Sequence, residues 1–166
     1  MRVPQTPSMP CDSPVLPPPA DLLVFGLGEV PRACVFRPDA VLSLLSPGKE
    51  APRFDGTQLA LRTEDVEDDG PGSPTDAHAT LIAAFLAAAA GRIALHCHAG
   101  FSRSAAALAC LHLRGLPPKA LAPILQALRP QARPNRRLAY LLDQALSLPN
   151  TLAAAAQCLH GLRRAA

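Results

Sequence analysis

Apolar residues fall into short runs separated by glycine- and proline-rich breaks, and the runs change character along the chain. Leu22–Leu27, Ala40–Leu45 and Thr57–Arg62 have the length of strands, with Leu59 and Leu61 alternating in the third. Gly26 and Gly28 mark a turn after the first run, a short segment opens at Pro31, and Ser46-Pro47-Gly48 stops the second run. A polar loop follows the third, and its stretch 64–72 carries five acidic residues and no core pattern. Ser73 as N-cap, Pro74 at the first position and Asp76 at the third predict a helix to Ala90, closed by Gly91. Arg92–His96 reads as a fourth strand. Helices are predicted over Ser104–Arg114, Pro118–Leu128, Pro134–Ser147 and Asn150–Arg163. Strands alternating with helices, then helices alone, predict an α/β domain: a small, mostly parallel central sheet flanked by helices, with a helical C-terminal half.

Residues 1–20 hold seven prolines and no periodic apolar pattern, so they read as a disordered tail ahead of one domain over residues 21–166. A chain of 166 residues at 49% apolar supports one respectable core. Leu, Val, Ile and Ala must fill it, because there is one Tyr and no Trp. The five cysteines stand alone with no paired spacing, which argues against a disulfide framework and for a reducing, cytoplasmic setting. The longest apolar run, Leu81–Ala90, is too short to span a bilayer, and no signal segment opens the chain. A net charge of +3 without a basic patch of interleaved aromatics excludes neither fold nor enzyme, but it gives no nucleic-acid or membrane partner. Arg133, Arg136 and Arg137 read as a solvated helix face. Nothing in the sequence fixes the oligomeric state.

Candidate chemistry concentrates in His96–Ser104, HCHAGFSRS. An apolar strand leads into it and an alanine-rich helix leads out. Backbone N–H groups of such a loop and the positive end of the helix point at an anion, and the same field favours the thiolate of Cys97. Arg103 can hold two phosphate oxygens with its planar fork. Cys158, Gly161 and Arg164 repeat the cysteine–glycine–arginine spacing, but only Ala165 and Ala166 follow, so no helix can present its N-terminus there. His96 and His98 flank Cys97 but point opposite to it in an extended strand, and no second ligand cluster has zinc spacing, so no metal is expected.

The loop resembles the signature of the cysteine-dependent protein tyrosine phosphatases, His-Cys-x-x-Gly-x-x-Arg-Ser/Thr, matched at His96, Cys97, Gly100, Arg103 and Ser104. The chain is similar to a small bacterial member of the tyrosine/dual-specificity branch. That resemblance implies a phosphatase-like fold, no cofactor, and a phosphorylated protein or small phosphate ester as partner. It implies Cys97 as nucleophile, and His98, Ala99, Gly100, Phe101, Ser102 and Arg103 as the phosphate cradle. Ser104 would donate to the cysteine sulfur, or serve as a plain helix N-cap. His96 would orient the loop. The family's general acid lies on an upstream loop, where Asp65 stands 32 positions before Cys97 and is followed by an aliphatic residue. Asp68 and Asp69 are the alternatives. Pro134-Asn135 resembles a Pro-Asn pair of dual-specificity relatives, so Asn135 either braces the active loop or caps a helix. Two other functions stay open: a rhodanese-like sulfurtransferase and a non-catalytic phosphate-binding module.

Overall fold

Strands buried on two faces need apolar side chains on both, and the inner strands have them. In the computed structural model, which describes residues 16–98 and 104–162, β1 (Leu22–Gly26), β2 (Ala40–Leu45) and β4 (Ile93–Cys97) are buried throughout. The edge strand β3 (Thr57–Arg62) is half-exposed. All pairings are parallel in the order β1-β4-β2-β3, so the last strand in the chain is inserted between β1 and β2. This matches the predicted α/β architecture.

The chain crosses the sheet one way from β1 to β2 and returns from β3 to β4, so right-handed crossovers place their helices on opposite faces. Helix α1 (Val30–Phe36) follows a 3₁₀ turn, Leu27–Glu29, and covers Leu23, Phe25, Val41 and Ala94 together with Phe54 of the β2–β3 crossover. The other face is thicker. It carries α2 (Asp76–Ala88), α3 (Ala105–Leu113), α4 (Pro118–Leu128), α5 (Arg136–Ala145) and α6 (Thr151–Leu162). Helix α3 is buried from Ala105 to Leu111 and packs against all four of the others. Its alanines let the neighbours approach closely, and its position makes its first residue part of the core.

Several boundaries differ from the sequence reading. Thr75, not Ser73, caps α2, its hydroxyl taking the His78 N–H while His78 Nδ1 takes the Thr75 N–H. Ser73 is instead buried in the preceding turn, its hydroxyl donating to the Gly70 carbonyl. Helix α2 ends at Ala88, and Gly91 turns the chain into β4 at φ +72°, where a Cβ would strike the Asp39 carboxylate. Pro134 precedes α5 rather than opening it. Cys158 is disulfide-bonded, against the expectation from cysteine spacing, whereas Cys34, Cys97 and Cys110 are not in disulfides. The tail assigned to residues 1–20 lies outside the described residues as far as residue 15, and so does Arg163. No helix among the described residues is long and apolar enough to cross a membrane.

Asp143 of α5 is fully buried and fastens α6, accepting the Leu152 N–H at 2.8 Å and the Ala153 N–H at 2.9 Å. Burial pushes its carboxyl up despite those amides. Asp143→Ala is expected to cost about 1–2 kcal/mol in urea unfolding, as lost helix caps do, and Asp143→Asn less. An unchanged midpoint for the alanine variant would contradict this role.

Candidate active site

Cys97 is the last residue of β4, and its Cα is paired on one side with Gly26 and on the other with Leu44. Strand alternation turns its side chain to the helical face beside Val24, Leu42 and Leu95 and turns His96 to the other. Cys97 and Ser104 are both 4% exposed and line one cavity of about 10 Å³, the size of a single water. Ser104 occupies the N-cap position of α3, but its hydroxyl makes no capping bond. A plain capping role therefore does not account for it. His98 is exposed, and its carbonyl accepts the Leu27 N–H at 3.1 Å. Ala99, Gly100, Phe101, Ser102 and Arg103 lie outside the described residues.

His96 is buried between strands. Its Nε2 is 2.7 Å from the Ser43 hydroxyl, which also accepts from the Gln58 amide at 3.1 Å. The ring lies over Phe25 with centroids 4.7 Å apart. This network ties the end of β4 to β2 and β3 on the face away from Cys97.

The acidic loop after β3 is fastened by the start of α5. Asn135 caps α5 by accepting the Leu138 N–H at 2.9 Å, and its amide donates to Asp65 Oδ1 at 3.0 Å and to the Val66 carbonyl at 3.1 Å. The amide thus reaches the acidic loop. Arg136 donates to Glu67 from both its backbone N–H and its guanidinium. Arg137 donates to the Pro74 carbonyl at 2.8 Å and to Asp69 at 3.0 Å. Of the three candidate acids, Asp69 is engaged by an arginine, Asp65 is held by an amide, and Asp68 is exposed. Arg136 is exposed, as the sequence suggested, and Arg137 half-buried, and each also pairs with an acid of the 64–72 loop, which the sequence reading did not foresee. The signal that could have found them is complementarity: a run of acids at 64–69 and a run of bases at 133–137.

A second tie lies at the β1 end. Glu29 Oε2 accepts the Gly26 N–H at 2.9 Å and pairs with Arg129 at 2.6 Å. Burial pushes the Glu29 carboxyl up, but the Gly26 N–H, Arg129 and Arg32 outweigh it and hold the group below its ordinary value. Cys110, buried in α3, has its thiol pushed up to about 11 by burial, which leaves it inert at neutral pH. Among the described residues no group of three or more His, Cys, Asp or Glu side chains could hold a metal ion.

No family model matches the chain. No curated protein matches it either. Solved structures do. The chain is similar to DUSP15, with a TM-score of 0.59 at 19% identity over 90% of this chain and 94% of that one. It is similar to human DUSP28, with a TM-score of 0.57 at 20% identity over 87% and 96%. The Yvh1 phosphatase domain from Chaetomium thermophilum gives 0.53 at 22% identity over 76% and 90%. The fold is that of the dual-specificity phosphatases.

The Arg136 hydrogen bond, above all, holds the Glu67 carboxyl below its ordinary value of 4.5. A depressed carboxylate contributes stability that is present above the unfolded pKa and lost as pH falls through the folded one. Thermal melts of wild type and Glu67→Gln should therefore differ above about pH 4.5 and converge on further acidification. A gap that stayed constant through that range would contradict the ion pair.

Proposed function

We propose that residues 21–166 form a phosphate monoester hydrolase working through a phosphocysteine at Cys97. Its substrates are phosphotyrosine in proteins, with phosphoserine and phosphothreonine or small phosphate esters as further members of the class. The observation that carries this function is the placement of Cys97: the carboxyl end of a doubly paired inner strand, directly before the buried helix that begins after Ser104. Open α/β sheets bind ligands at that end. The dual-specificity phosphatase fold of the solved relatives supports the same assignment.

In the first displacement the Cys97 thiolate attacks phosphorus. A P–S bond forms, the ester P–O bond breaks, and the alcohol leaves with a proton from Asp65. Asp65 stands beyond the end of β3, the same end of the parallel sheet as Cys97, and Asn135 fixes its carboxyl. In the second displacement water attacks phosphorus and gives its proton back to Asp65. The P–S bond breaks, and inorganic phosphate leaves. Ser104 donates to the departing sulfur, a role supported by its lining the same cavity as Cys97. Arg103 and the loop amides would hold the transferred phosphoryl group, whose charge spreads over its equatorial oxygens. The chemistry needs no cofactor.

Cys97→Ser should abolish turnover of an aryl phosphate while tungstate still binds, read by titration calorimetry. Retained turnover would overturn the mechanism. Asp65→Ala should slow alkyl phosphates by about 10²–10⁴-fold and spare aryl phosphates with good leaving groups. Equal losses on both would move the acid role to Asp68.

A further inference from the structure

We infer that Glu29, clamped by Arg129, is a positioning residue for the nucleophile loop; this rests on the phosphatase function proposed for Cys97. Strand β1 ends at Gly26, the register partner of Cys97, and the chain then tightens into the turn Leu27–Glu29. That turn makes the first contact beyond the nucleophile, because the Leu27 N–H donates to the His98 carbonyl at 3.1 Å. Its shape depends on Glu29. One carboxylate oxygen closes the turn on the Gly26 N–H and takes the Arg129 guanidinium, while the other faces Arg32 at 3.5 Å.

The arrangement is asymmetric in a way that favours geometry over stability. Arg129 is only 13% exposed in its side chain, so its charge needs a partner where it stands. It follows α4 directly, and Asn135 lies a few residues further on. The short connection between α4 and α5 therefore grips the turn beside Cys97 at one end and the Asp65 loop at the other. Losing Glu29 would release the Gly26 N–H and remove the carboxylate that pairs with Arg129. The turn would then no longer hold the His98 carbonyl in place. Small displacements of this kind reach the reacting atoms: a shift of about 1 Å from a remote substitution can cost about 10²-fold in rate.

The test compares Glu29→Ala with Glu29→Gln, which keeps an oxygen for the Gly26 N–H. Turnover of an aryl phosphate, inhibition by inorganic phosphate, and phosphate protection of Cys97 from iodoacetamide are read on folded protein. Glu29→Ala should lower kcat by about ten- to a hundredfold and weaken both phosphate effects, and Glu29→Gln should recover most of the loss. A lower melting temperature with wild-type kcat and phosphate inhibition would overturn the inference and leave a purely structural ion pair. Should Glu29→Ala fail to fold, Arg129→Met is expected to show the same kinetic losses, and unaltered kinetics there would overturn it equally. Wild-type protein without turnover would strike the phosphatase function itself, whereas active wild type with an unaltered Glu29→Ala strikes this inference alone.

Discussion

Strand β4 is hydrogen-bonded on both sides, and that double pairing fixes the place of Cys97. Parallel partners on either edge allow neither slippage nor a bend before the strand ends, because a one-residue shift would turn every buried side chain to the wrong face. Ile93, Leu95 and Cys97 must then face the helices, and Ala94 and His96 the thinner layer under α1. The position of Cys97 is a consequence of sheet packing. Helix α3 adds the second half of the constraint: its buried alanines seat it at the centre of the helical layer, so its start stands beside the strand end.

Around that fixed point the site is held by polar ties among elements distant in sequence. His96, Ser43 and Gln58 join three strands beneath it. Asn135, Arg136 and Arg137 fasten the acidic loop, each to a different partner. Glu29 and Arg129 close the turn on the other side. The exposed and partly exposed pairs of Arg136 and Arg137 contribute little to stability. The value of all these ties is geometric: they set where loops stand relative to a rigid sheet, as the proposed mechanism requires of its nucleophile and acid.

The strands and helices were legible because each has a clear period and a stop: Pro118–Leu128 was read to the residue, and Ala40–Leu45 and Thr57–Arg62 likewise. Caps were less legible, since Ser73 and Thr75 are equally good candidates and only the turn at Gly70–Ser73 decides between them. Cys97 and Ser104 were visible as a motif. The partners of Asn135 were not, because its amide bonds to residues some seventy positions away and a short polar stretch says nothing about what it faces. Glu29 was passed over for the same reason. Its carboxylate matters through a fold contact with Arg129, and no local spacing announces it.

The proposed function turns on one covalent event, transfer of phosphate to the sulfur of Cys97. Turnover of an aryl phosphate, quenched with acid within the first cycle and digested for mass spectrometry, tests it directly. A phosphate adduct is expected on the peptide carrying Cys97, disappearing as the substrate is exhausted. Turnover with no adduct there, or with an adduct on another residue, would contradict it.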